Sequence, residues 1–171
     1  MSTSTDLFNL QISDNFVAVR EQVKAFIKTE INPLEEEFYS TPHKDDIWTL
    51  SARQSEIIEG LKAKAQALGL WNFFLPDWNG EGVSNLDYAY LAQEMGKSRL
   101  APEVFNCAAP DTGNMEVLAK YGSKAQQKQW LQPLLDGKIR SAFAMTEPDV
   151  ASSDAKNIAT SAVLENDEWV I

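Results

Sequence analysis

Residues 141–157 read Ser-Ala-Phe-Ala-Met-Thr-Glu-Pro-Asp-Val-Ala-Ser-Ser-Asp-Ala-Lys-Asn, and their types and order suit contact with an anion or a polar ring. An alternating strand, with Phe143 and Met145 on one side and Ala144 and Thr146 on the other, runs into the elbow Glu147-Pro148-Asp149. Pro148 disfavours helical angles at Glu147, so the strand should end in a defined turn. Ala151-Ser152-Ser153 then supplies small side chains, two hydroxyls and successive N–H groups, a natural cradle for an anion or a ring carbonyl. Asp154 reads as a turn-capping residue. On the residues alone, an ordinary polar loop after a strand stays the stronger reading.

The elements that must position this stretch change character at Gly137. Before it, apolar residues recur at helical spacing. Ser13-Asp14 can cap a long helix carrying Phe16, Val19, Val23, Phe26, Ile27, Ile31, Leu34 and Phe38, and Pro33 should kink or divide it near Asn32. A helix is predicted from about Ser51 to Ala67, with Gly69 as its C-terminal cap. Ser84-x-x-Asp87 starts another, running to about Lys97, and a further helix spans about Pro110 to Lys120. Ser123-x-x-Gln126 is a capping box for the helix that carries Trp130, Leu131, Leu134 and Leu135 and ends at Gly137. Beyond it, residues 139–146 and 158–164 alternate as strands, and Asn166-Asp167 makes a hairpin turn before Glu168-Trp169-Val170-Ile171. The expected organisation is an α-helical N-terminal domain over 1–138 followed by the first strands of a β domain over 139–171. Because the last residues read as mid-strand, the chain is expected to be a fragment.

Composition narrows the classes. Hydrophobic residues make up 44% of the chain, and five Trp, eight Phe and four Tyr supply a core. No apolar run approaches the roughly 18 residues of a membrane span. A formal net charge of −10 argues against nucleic acid, which needs a basic face. Cys107 and His43 are the only residues of their types, so neither an internal disulfide nor a His/Cys metal site is expected. Cys107 reads as a buried structural thiol, and His43 as a solvated loop residue. The run Glu35-Glu36-Glu37 reads as a solvated helix face, and Trp71, Phe73, Phe74 and Trp78 as core before acyl-pocket lining.

Ala144-Met145-Thr146-Glu147-Pro148, with the small residues and Asp154 that follow, resembles the flavin-binding signature of the acyl-CoA dehydrogenases. The segments Leu68–Pro76, Leu91–Gly96, Tyr121–Leu131 and Pro133–Phe143 agree with that family in the same order along nearly the whole chain. Most members carry Thr-Glu-Pro-Gly-Ala-Gly-Ser-Asp, whereas Asp149-Val150-Ala151-Ser152-Ser153-Asp154 is one residue longer and lacks both glycines. That variant, with the stretch Phe105–Glu116, is similar to the animal "member 10 and 11" type and its bacterial relatives.

The resemblance implies FAD as cofactor, contacted by Phe143, Ala144, Met145 and Thr146, with Ser152 or Ser153 reaching the flavin and Ser153 also the acyl-CoA. It gives Glu147 a structural place in the turn rather than that of a base. It implies dehydrogenation of an acyl-CoA thioester to trans-2-enoyl-CoA, with an electron-transfer flavoprotein as acceptor and a homodimer or homotetramer at full length. The family's glutamate base lies in a C-terminal helical domain, so no catalytic residue is assigned in this chain, which alone should bind FAD poorly and be inactive. The address would be cytoplasmic in a bacterium and mitochondrial or peroxisomal in a eukaryote. The alternatives are an acyl-CoA oxidase or related flavoenzyme, and a truncated, non-enzymatic binding module.

Overall fold

A computed structural model describes residues 10–42, 47–75 and 83–171. The expectations for His43 and Trp78 fall outside these residues. The chain divides into two compact units, residues 1–140 and 141–171.

Local chemistry accounts for most of the first unit. Helix α1 (Asp14–Phe26) passes through a π-helical turn (Ile27–Ile31) into α2 (Asn32–Ser40). Pro33 has no N–H to donate, and its ring would meet the carbonyl four residues back. The helix responds by widening one turn, so that Asn32 N–H bonds Ile27 O. The same device recurs where α7 (Lys124–Gln126) leads through a π turn (Gln127–Leu131) into α8 (Gln132–Leu135), ahead of Pro133. There Gln132 N–H bonds Gln127 O. The division expected at Asn32 is therefore found, with a second like it that the sequence reading did not anticipate.

Helix α3 (Ala52–Ala67) opens with the Ser51/Gln54 capping box. It closes on Gly69 at φ 72°, where Leu70 N–H bonds Ala65 O at 2.9 Å and Gly69 N–H bonds Gln66 O at 3.0 Å. Gln54 also donates to the Phe38 carbonyl at 3.0 Å, so the start of α3 seals the end of α2. Helix α4 (Asn85–Met95) is capped by Ser84, and Asp87 of its first turn accepts the Ser13 N–H at 2.8 Å. Ser13 holds the N-cap position of α1 without a side-chain cap, its hydroxyl as well as its N–H being turned to Asp87. A short helix, α5 (Ala101–Val104), precedes α6 (Asp111–Tyr121). The helices meet around Phe105, which is fully buried and lies 5.5 Å from the Phe26 ring and 6.1 Å from that of Phe73. Among the described residues no helix is long and apolar enough to cross a membrane.

In the second unit, β1 (Val163–Glu165) pairs antiparallel with β2 (Glu168–Val170), Leu164 opposite Trp169. Asn166 and Asp167 take φ 51° and 65°, the left-handed pair that a two-residue hairpin turn requires. A 3₁₀ turn (Ala155–Asn157) precedes it. Two expected strands are corrected. Residues 139–146 join no ladder, because alternation supplies a strand's faces but not the partner its backbone needs. The strand expected over 158–164 shrinks to the part that pairs, Val163–Glu165.

Candidate functional site

Three hydrogen bonds to one carboxylate shape the elbow. Glu147 accepts the Ala159 N–H at 3.0 Å, the Thr160 N–H at 3.0 Å and the Thr160 hydroxyl at 2.6 Å. The Thr160 hydroxyl bond, followed by the two N–H bonds, holds this carboxyl below the ordinary glutamate range. A carboxylate so engaged is a poor proton acceptor and a good loop clasp, which is the structural place expected of it.

Ser152 faces the other way and closes the same loop. Its side chain is buried, and its hydroxyl accepts the Glu147 N–H at 2.9 Å. Asp154 caps the 3₁₀ turn through the Lys156 N–H at 3.1 Å. Ser153, between them, is exposed and forms no side-chain hydrogen bond among the described residues. The two serines thus have opposite environments, one spent inside the loop and one presented outward.

Phe143, Ala144, Met145 and Thr146 are all exposed, Phe143 by 66% and Met145 by 37%. Their main-chain groups enter no backbone ladder among the described residues. This segment offers N–H donors, C=O acceptors and the Thr146 hydroxyl in close succession. That donor and acceptor set fits the edge of a planar heterocycle carrying both amide N–H and carbonyl groups, as a flavin does.

The remaining candidates resolve towards structure. Cys107 is buried, and burial pushes its thiol up to about 12, which removes it as a nucleophile at neutral pH. Phe73 and Phe74 are core residues, and the half-buried Trp71 donates its indole N–H to Leu135 O at 2.7 Å. The glutamate run is more than a wet face. Glu37 forms a two-pronged pair with Arg53 at 2.6 and 3.1 Å, and Glu35 accepts the Arg99 N–H at 2.7 Å. Sequence reasoning missed Thr160, whose only signal is a hydroxyl thirteen residues downstream of the acid it binds. It also missed the ion cluster in which Arg140 meets Asp111 and Glu103.

Comparison with known proteins places these observations. The model of the acyl-CoA dehydrogenase N-terminal domain matches residues 13–138. Acyl-CoA dehydrogenase family member 11 of Pongo abelii is 53% identical over 88% of this chain and 19% of its own length. Family member 10 of Mus musculus is 50% identical over 88% of this chain and 14% of its own length. A solved structure from Mycobacterium abscessus, described as an acyl-CoA dehydrogenase, superposes with a TM-score of 0.82 at 48% identity, covering 93% of this chain and 40% of that one. The chain therefore spans less than a third of the length of these curated relatives. With the N-terminal domain matched over most of its residues and about half of them shared with two named members, this chain belongs to the acyl-CoA dehydrogenase family.

Proposed function

We propose that the protein carrying this chain is an FAD-dependent acyl-CoA dehydrogenase, with residues 1–138 as its helical N-terminal domain and 139–171 opening its β domain. FAD, when bound, would supply the hydride acceptor for the β-carbon of a saturated acyl-CoA thioester, the α-proton passing to a base other than Glu147 and the product being a trans-2-enoyl-CoA. The main chain of Phe143–Thr146 and the Thr146 hydroxyl hold the ring edge. Ser153 reaches cofactor and thioester, while Ser152 builds the loop. Glu147 is not the base. The acceptor is an electron-transfer flavoprotein, and the assembly a homodimer or homotetramer.

One observation carries this reading: the elbow spends Glu147 and Ser152 on closing itself and presents Thr146 and Ser153 outward. Purifying the full-length protein and titrating it anaerobically with a saturated acyl-CoA tests the reading. The expected result is a visible flavin band that bleaches with substrate and an enoyl-CoA product. Folded protein that takes up no flavin would overturn it, and fast reoxidation of the reduced enzyme by oxygen would make it an oxidase instead.

A further inference from the structure

We propose that Arg140 is a positioning residue for the 141–146 segment, acting through an ion cluster that fixes the point where the chain leaves the helical unit. The inference rests on the flavoenzyme reading above. Arg140 is the last residue of the first unit. Its guanidinium pairs through Nε with Asp111, the first residue of α6, and through Nη1 with Glu103 of α5 at 2.7 Å. Glu103 also accepts Lys62 of α3 at 3.2 Å, and Lys62 in turn pairs with Glu59 at 3.1 Å. The Arg140 side chain is thereby tied to two helices directly and, through Glu103, to a third.

Burial makes the tie strong at its centre. The Asp111 side chain is only 4% exposed and that of Lys62 only 9%, whereas Arg140 is 45% exposed. A carboxylate as buried as Asp111 needs a charged partner, and Arg140 supplies one from outside the helical core. The guanidinium fork suits two carboxylates on different helices, which a lysine ammonium could not bracket in the same plane. Seven residues further on, Glu147 is clasped by Ala159 and Thr160. The segment proposed to meet the cofactor therefore lies between two charged anchors, and its own backbone makes no ladder among the described residues. An anchor at its start limits the conformations the segment must give up when a ligand orders it.

The test compares full-length wild type with Arg140→Lys and with the double variant Asp111→Asn/Arg140→Gln, which leaves no buried charge unpaired. The rate of chymotryptic cleavage after the exposed Phe143 is followed without ligand, with hydrogen exchange of the helices beside it, and FAD affinity by fluorescence quenching. In the double variant, cleavage after Phe143 should quicken about tenfold, the scale of one charge-assisted hydrogen bond, while α3 amides stay protected from exchange. FAD should bind about tenfold more weakly, and Arg140→Lys should fall between. Unchanged cleavage and affinity in the double variant would sink the role of Arg140, and loss of exchange protection throughout α3 and α6 would reduce it to a stability residue. Wild-type protein that resists cleavage after Phe143 yet takes up no FAD would instead overturn the flavoenzyme reading, and the proposal with it.

Discussion

The side-chain amide of Asn106 donates a 2.7 Å hydrogen bond to the Asn72 side-chain oxygen, and both residues hold left-handed backbone angles, φ 54° and 57°. The same two amides point at the end of α8: Asn106 reaches Leu134 O at 3.0 Å, and Asn72 reaches Leu135 O at 3.0 Å. The last carbonyls of a helix have no partner within it. Here a buried asparagine pair supplies them and ties three segments, around residues 72, 106 and 135, behind the Phe105 core. Asn106→Ala should lose both the amide bonds and the residue's tolerance of a positive φ, costing about 2–4 kcal/mol by denaturant unfolding. Asn106→Gly should recover only the backbone part. Equal stability of Ala and Gly variants would show that the left-handed angle is not strained there.

Gly137 gives a sharper contrast. It sits at φ 68°, and a Cβ on it would meet Trp71 Cζ2 at 2.8 Å, the ring whose N–H caps Leu135. Gly137→Ala should cost about 2–3 kcal/mol, from the left-handed angle together with displacement of the indole. Gly60, in the middle of α3, has nothing within 4 Å of its added Cβ. Gly60→Ala should therefore stabilise by about 0.5–1 kcal/mol. Melting of the two variants in opposite directions is the expected outcome.

Acid should weaken the α1–α4 contact. Glu94 is 1% exposed and accepts Arg20 at 2.6 and 3.0 Å as well as Lys97. Burial raises its pKa, but the hydrogen bonds and charges of Lys97 and Arg20 outweigh that and hold it below the ordinary range. A depressed folded-state value means stabilisation that is present above the unfolded value, about 4.3, and lost as pH falls through the folded one. Wild type should begin to lose stability below about pH 5, and Glu94→Gln should flatten that part of the profile while costing about 1–3 kcal/mol at pH 7. An unchanged acid limb in the variant would remove Glu94 as its source.

Local signals made the helical frame readable. The cap at Ser84, the box Ser123/Gln126, the caps at Gly69 and Gly137, and the division before Pro33 each depend on residues within a turn of one another. The Asn72–Asn106 pair was not readable, because an asparagine in a left-handed turn looks like any loop residue and its partners lie 28 to 63 residues away. Arg140 was hidden for the same reason, with Asp111 29 residues back in the chain. At the elbow, alternation marked Phe143–Thr146 as extended but could not say whether a ladder would form. Nor could periodicity tell Ser152 from Ser153. That distinction came from one bond, the Glu147 N–H to the Ser152 hydroxyl.

Variants of the two serines and Thr146 test the proposed division between building the loop and binding. Ser152→Ala removes the acceptor of the half-buried Glu147 N–H and should loosen the 147–160 loop, costing about 1 kcal/mol and raising hydrogen exchange at 147 and 159–160. Ser153→Ala and Thr146→Val alter exposed positions, so both should leave that exchange pattern as in wild type. In the full-length protein, Thr146→Val should weaken FAD binding by about 1 kcal/mol or shift its visible band, since it deletes one hydroxyl at nearly constant volume. Ser153→Ala should act on acyl-CoA binding as well as on FAD. If Ser152→Ala left the loop's exchange untouched and instead impaired acyl-CoA binding, the assignment of the two serines would have to be reversed, and the loop's extra residue would lie on the other side of the ligand-facing hydroxyl.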